Sequence, residues 1–301
     1  MQKYDVIIPV AGKDVGFIHR VVKYVQKHLI DIECIYIITN KKNIKKISKS
    51  INCLDNIFIM YENLLIDGLT INHIKNIARR YTNCTSPGWF YQQFLKLGFS
   101  LTKHAKKYYL SWDADTIPVS DISFFEESQP LFTRKNEYNE NYFATIEKII
   151  GLNKVEPYSF IAEHMLFDSD IVRELLKKIE TCPVEGNTWF EKIMRAGDYN
   201  HPNPSFSEFE TYGTYVMTYY PNLYKTRQLN TFRRGGWIRG RAISDQMLEK
   251  LSFDLDTISF EMRDEPLFPY NIPYRWWRLK DLLSKFFTNR PKVAFKKIFN
   301  K

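Results

Sequence analysis

Tyr4 to Val10, YDVIIPV, is an unbroken apolar, β-branched run closed by Ala11-Gly12, the pattern of a strand buried on both faces that ends in a loop. From Phe17 onward, Ile18, Val21, Val22, Val25 and Leu29 recur at the spacing of one helix face. Cys34 to Thr39, CIYIIT, predicts a second strand, the lysine-rich KKNIKKISKS a solvated helix, and Ile57 to Met60 a third short strand. The result is βαβαβ, the signature of a parallel sheet covered by helices. Ile71 to Tyr81 and Trp89 to Leu101 read as helices, the second with Phe90, Phe94, Leu97 and Leu101 along one face and Ser86 available as a cap. Tyr108 to Ser111 predicts another buried strand, Tyr142 to Ile146 a further one, and Asp168 to Asp170 the cap of a later helix.

The length of 301 residues allows one large α/β domain or two smaller ones, and 44% hydrophobic with 26% charged residues is a globular composition. The net charge of +9 would suit a nucleic-acid binder only if it were spread over the surface. Residues 271–301 hold nine Lys or Arg and one acid, Asp281, so the other 270 residues sum to +1. A balanced body with a basic tail argues against nucleic acid as a partner. In the tail, Trp276, Leu279, Leu283 and Phe286 form a helical stripe widened by Trp277, Leu282 and Phe287, and Pro291 to Phe299 repeats the mixture of Lys with apolar residues. Such a tail is suited to lie on an anionic membrane or, alternatively, to dock onto the body of the protein or a partner. The expected organisation is a body at 1–270, divided into a nucleotide-binding half (1–120) and an acceptor half (121–270), with the amphipathic tail at 271–301. Cys34, Cys53, Cys84 and Cys182 lack metal-ligand spacing and read as reduced thiols. The chain opens into a strand and carries no apolar run of membrane-spanning length, so the expected location is cytoplasmic, peripheral on the inner face of the membrane.

The chemistry concentrates in YYLSWDADTIPVS, Tyr108 to Ser120, where a strand runs through Trp112 into Asp113 and Asp115. Residues i and i+2 share one side of an extended backbone, so both carboxylates can reach one ligand past the strand end. A hard divalent ion, Mg²⁺ or Mn²⁺, would relieve their repulsion and could also take phosphate oxygens; the alternative is that the two Asp only turn the chain before Pro118. In parallel sheets ligands bind beyond the carboxyl ends of the strands, which places Pro9, Val10 and the loop that follows on the same crevice. AGKDVGF after that first strand fits neither a dinucleotide-binding nor a P-loop fingerprint. Gln92 and Gln93, beside Trp89 and Tyr91, could bind a base or sugar, or could be solvated helix positions. Glu163 and His164 are candidates for a third ligand or an acceptor site, against the alternative of a hydrogen-bonded core histidine. Ser207-Glu208-x-Glu210 is either a helix cap or a general base with its partner. Arg227 to Arg241, RQLNTFRRGGWIRGR, packs five Arg around Gly-Gly, suited to a mobile lid over phosphates or to a solvated loop.

GWFYQQFLKL, YLSWDADTIPV, IAEHMLFD and SFSEFETYGTY, in that order within residues 4 to 245, resemble the GT-A class of nucleotide-sugar glycosyltransferases. More narrowly they are similar to a bacterial glycosyltransferase-like family found with surface-polysaccharide genes. The resemblance implies a single GT-A-like α/β domain with a mostly parallel central sheet flanked by helices. It also implies a nucleotide-diphosphate sugar donor, a UDP-sugar by expectation, and transfer to a glycan or lipid-linked glycan acceptor. In that setting Asp115 is the direct metal ligand, and Asp113 reaches the ribose or the metal through water. Pro9, Val10, Gln92, Gln93 and Trp112 complete the donor site. Glu163, His164 and Tyr212 face the acceptor, and Glu208, with Glu210 second, takes the proton if the reaction inverts. The competing readings are a sugar-phosphate nucleotidyltransferase and a non-catalytic lipid- or nucleic-acid-binding protein.

Overall fold

The opening apolar run forms β1 (Tyr4–Val10), buried along its whole length. Alternation divides it between two cores, with Ile7 in one and Val6, Ile8 and Val10 in the other. The run has no polar gaps because both faces of the sheet are covered. The computed structural model describes residues 2–52, 54–200 and 205–288. Cys53 and the second basic piece of the tail, Pro291 to Phe299, lie outside the described residues.

Helix α1 (Ile18–His28) buries the predicted Ile18, Val21, Val22 and Val25. It leads to β2 (Ile32–Thr39), then α2 (Lys41–Ser50), β3 (Ile57–Tyr61), α3 (Ile71–Tyr81), α4 (Pro87–Gly98) and β4 (Tyr108–Trp112). There follow β5 (Thr116–Pro118), β6 (Phe125–Glu126), β7 (Gln129–Thr133), α5 (Glu140–Ile150), β8 (His164–Asp168), α6 (Ser169–Glu180), α7 (Trp189–Ala196) and α8 (Glu208–Tyr219). The last part comprises β9 (Lys225–Arg227), β10 (Thr231–Phe232), α9 (Gly236–Arg239), α10 (Asp245–Leu251), β11 (Thr257–Ser259) and α11 (Asn271–Thr288).

The central sheet has the order β3-β2-β1-β4-β8. Its first four strands are parallel and β8 is antiparallel to β4, pairing Trp112 with His164. This is the α/β fold with a mostly parallel sheet flanked by helices that the sequence pattern predicts. The chain runs outward from β1 through β2 and β3, then crosses to β4 on the other side of β1. That reversal makes the β1/β4 boundary a topological switch point, where a crevice opens beyond the strand ends. Two three-stranded sheets, β10-β11-β5 and β6-β7-β9, lie outside the central one.

Three expectations are corrected. Tyr142 to Ile146 is helical, not a strand: Asn139 caps α5, Gly151 closes it in the left-handed conformation, and Tyr142, Phe143, Ile146, Ile149 and Ile150 form its buried face. HMLFD, read only as the approach to a helix, is the edge strand β8, and its last residue, Asp168, caps α6 by accepting from the amides of Asp170 and Ile171. The five-arginine segment is pinned by side-chain contacts instead of forming a free, solvated loop. Arg227 bonds the Ser123 carbonyl, Arg233 binds Glu163, Arg234 binds Asp264, Arg239 stacks on Tyr270, and Arg241 is buried against Asp14. Its Gly-Gly permits close packing, since a Cβ on Gly235 would meet Ile258 and one on Gly236 would meet Asp264.

Candidate active site

A cavity of about 500 Å³ opens at the carboxyl ends of β1 and β4. The loop after β1 contributes Lys13 and Asp14, and α4 presents Trp89, Gln92, Gln93 and Lys96 at helical spacing. Asp113 and Asp115 follow β4, Glu163 precedes β8, and Ser207 with Glu208 begins α8. Arg233, Glu261 and Arg263 complete the charged wall.

The Asp113–Asp115 turn is braced on several sides. Asp113 N–H donates to the Glu163 carbonyl at 2.9 Å and Thr116 N–H to the Asp113 carbonyl at 3.2 Å. The Trp112 indole Nε1–H donates to the Thr116 carbonyl at 2.9 Å, closing the turn from beneath, and Phe260 N–H holds the Asp115 carbonyl at 2.8 Å. The turn, and not the extended alternation expected from the sequence, puts both carboxylates on the cavity, and their cationic partners come from opposite faces of the sheet. Lys96, from α4, lies 2.9 Å from Asp113 Oδ1. Arg241, packed over Phe17 among the residues of the other core, approaches Asp115 Oδ2 at 4.0 Å.

Lys96 is buried and also contacts Glu208 Oε1 at 2.8 Å, with its ammonium over the Phe209 ring. Burial alone would lower the ammonium pKa, but the Asp113 and Glu208 carboxylates outweigh it and hold the group charged. Burial raises the Glu208 carboxyl and Lys96 opposes the rise. Gln93 fixes the start of α8 by accepting the Glu208 N–H at 3.0 Å. On the other side, burial followed by the Asp14 and Asp113 charges pushes Asp115 up to about 7. Burial likewise pushes Glu163 up to about 7, with the Lys135 charge opposing the rise, and the Arg233 guanidinium lies 2.5 Å from its Oε1.

The structure gathers Gln92, Gln93, Asp113, Asp115, Glu163 and Glu208 on one cavity. It places the other candidates elsewhere. Pro9 and Val10 are buried within β1, and it is the loop beyond them, Lys13 and Asp14, that reaches the cavity. Trp112 is fully buried, stacked on His164 at a centroid distance of 5.0 Å, and supports the turn from below. His164 bonds Thr133 at 2.8 Å inside the sheet layer and is a core histidine instead of an acceptor group. Tyr212 is fully buried in α8 with its hydroxyl on the Asp168 N–H and Tyr224. Glu210 turns away from the cavity to accept from Ser159 and the Phe160 amide, while Ser207 caps α8 at the Glu210 amide. Sequence reasoning missed Lys96, and it reached Lys13 and Asp14 only as part of the loop after Val10 and Arg233 only as part of the five-arginine segment. The signal for Lys96 was available, since Trp89, Gln92, Gln93 and Lys96 share one helix face.

A divalent cation fits this wall as a site finished by ligand oxygens. The lining holds six carboxylates against four Lys or Arg side chains, so a diphosphate entering alone would meet net repulsion. Among the described residues no cluster of three or more His, Cys, Asp or Glu forms a closed protein cage. One or two carboxylates plus phosphate oxygens is the usual arrangement for Mg²⁺ with a nucleotide.

No protein-family model matches the sequence, and no curated protein matches it. Among solved structures, mouse xyloside xylosyltransferase 1 in its apo form is similar with a TM-score of 0.46 and 10% identity, over 89% of this chain and 100% of that one. The galactosyltransferase LgtC in complex with donor and acceptor sugar analogs gives 0.42 and 10% identity, over 96% and 98%. The apo glycosyltransferase GlyE of Streptococcus pneumoniae TIGR4 gives 0.43 and 11% identity, over 98% and 66%. At these values the likeness assigns no residue a role.

Proposed function

We propose that this chain is a glycosyltransferase that moves a sugar from a nucleotide-diphosphate sugar, a UDP-sugar by preference, to a glycan or lipid-linked glycan acceptor of surface polysaccharide. The carrying observation is the braced Asp113–Asp115 turn at the switch point of a parallel sheet, over a cavity with an excess of carboxylates. Asp115, with Asp113 beside it, would hold Mn²⁺ or Mg²⁺. Such an ion, when bound, neutralises charge that develops on a departing nucleoside diphosphate. Lys13, Arg233 and Arg263 stand on the same wall for the phosphates, and Trp89 with Gln92 offers a flat face and an amide for a base or sugar. Glu208 faces the cavity and Glu210 does not, so Glu208 is the proton acceptor of choice if the reaction inverts. A sugar-phosphate nucleotidyltransferase would call for a glycine-rich loop with basic residues after β1, which AGKDVGF matches poorly.

The tail supports action at a membrane surface. Helix α11 exposes Trp276, Leu279, Leu282 and Leu283 alongside Arg275 and Lys280, an arrangement suited to anionic lipid. Among the described residues no helix is long and apolar enough to cross a membrane.

Thermal stabilisation by a panel of nucleotide sugars in the presence of Mn²⁺ tests the reading, because a ligand that binds only the folded state raises the melting temperature. One sugar nucleotide is expected to stabilise the protein with Mn²⁺ and to be consumed when acceptor is added. Stabilisation by nucleoside triphosphates and not by sugar nucleotides, with pyrophosphate released once a sugar phosphate is added, would overturn it.

A further inference from the structure

The start of α11 packs behind the cavity wall, against the turn at Gly240–Ala242, as well as forming the root of a tail. Tyr274 is fully buried while its neighbours Arg275 and Trp276 are exposed. Its ring lies against Gly240, which sits at φ +60°, and a Cβ there would overlap that ring. Gly240 begins the short turn Gly240–Ala242 that carries Arg241. The Tyr274 hydroxyl is only weakly engaged, 3.4 Å from the Met262 carbonyl, so the ring makes the essential contact.

Arg241 uses its whole guanidinium fork. Nε donates to the Phe260 carbonyl at 2.9 Å, Nη1 to the Lys13 carbonyl at 3.1 Å and Nη2 to Asp14 Oδ1 at 2.6 Å, with Asp115 Oδ2 at 4.0 Å. It therefore ties the loop after β1 and the segment after β11 to the Asp113–Asp115 turn. A planar fork can join these groups in a way that a flexible ammonium cannot.

The geometry points to Tyr274 as a positioning residue for the cavity. By seating Gly240 it sets Arg241, and Arg241 sets Lys13 and Asp14 relative to Asp115. The functional consequence rests on the reading of the cavity as a nucleotide-sugar site, whereas the structural consequence does not. The helix proposed to meet lipid is thus linked through Gly240 and Arg241 to the loop that lines the cavity.

Hydrogen–deuterium exchange on the full chain without ligand tests this directly. In Tyr274→Ala, amides 12–17 and 113–116 are expected to exchange about tenfold faster or more, while those of β2 and β3 stay at the wild-type rate. Tyr274→Phe, which keeps the ring, is expected to restore protection. If Tyr274→Ala does not fold, Tyr274→Leu, which keeps apolar bulk without the ring, decides the matter by the same measurement. Affinity for UDP with Mn²⁺ is expected to fall about tenfold in the unprotected variant and to recover in Tyr274→Phe. Wild-type exchange at 12–17 in the folded Ala or Leu variant would overturn the proposal. Faster exchange in a protein that binds no UDP even as wild type would leave it standing and remove the nucleotide-sugar reading instead.

Discussion

The Lys96 ammonium lies 2.9 Å from Asp113 Oδ1, so a helix covering one face of the sheet sets the charge of a turn at the strand end. The same ammonium reaches Glu208 at 2.8 Å, making one buried cation the shared partner of two carboxylates. Lys96→Met leaves both acids without it, and breaking a buried pair in this way costs about 3–5 kcal/mol. A denaturant titration should show the midpoint falling with the slope unchanged. A loss below about 1 kcal/mol would mean that water already satisfies the two acids.

Glu208 and Glu210 are two residues apart at the start of α8 but differ in what they face. Glu208→Gln should cut transfer by about 10² or more, the usual worth of a general base, with donor binding by thermal shift retained. Glu210→Gln should keep the rate and lose about 1–3 kcal/mol of stability, because it weakens the buried bonds to Ser159 and the Phe160 amide. The reverse pattern in the two rates would reassign the base.

His164 carries a pH signature. Burial, followed by the Arg227 and Lys135 charges, lowers its pKa well below the ordinary 6.5, so the folded protein holds it neutral. Below about pH 6.5 the unfolded chain takes up a proton that the native state does not, and stability falls with decreasing pH by up to about 1.4 kcal/mol per unit from this group. Its contribution is fully present above that pH. In His164→Gln, melting temperatures between pH 7 and 5 should decline less steeply than in the wild type, and parallel slopes would show that the native histidine is protonated.

The exposed face of α11 is tested without deleting the helix, because deletion would also remove the buried Tyr274. Trp276→Ser with Leu282→Ser, at positions 63% and 57% exposed, should reduce co-flotation with anionic vesicles by about tenfold or more, given the apolar area removed. Unchanged flotation would end the membrane role of this face.

The sheet was legible because its strands are buried on both sides: YDVIIPV, CIYIIT and YYLSW admit almost no polar interruption. Tyr142 to Ile146 was misread because aromatic and β-branched residues suit a strand when the cap at Asn139 and the left-handed Gly151 are left out of account. Asp113 and Asp115 stood out because two acids close to a buried strand need a reason. Arg241 did not, because its meaning depends on Asp14, more than two hundred residues away in the chain. Trp112, His164 and Tyr212 sat close to the candidate chemistry in sequence, but strand and helix geometry turns them inward. In the arginine segment the solvated-loop reading missed the ion pairs, which depend on acids distant in sequence, and the close packing that Gly-Gly permits.

The central claim is that Asp115 anchors a cation-bound nucleoside diphosphate. Asp115→Asn keeps the shape and removes the charge, and thermal shift with UDP and Mn²⁺ reads binding without knowledge of the sugar or acceptor. At about one hundred times the dissociation constant the wild type should gain roughly 2.7 kcal/mol, and the variant, equally folded, should gain almost nothing. Equal Mn²⁺-dependent stabilisation of both proteins by UDP would contradict the account.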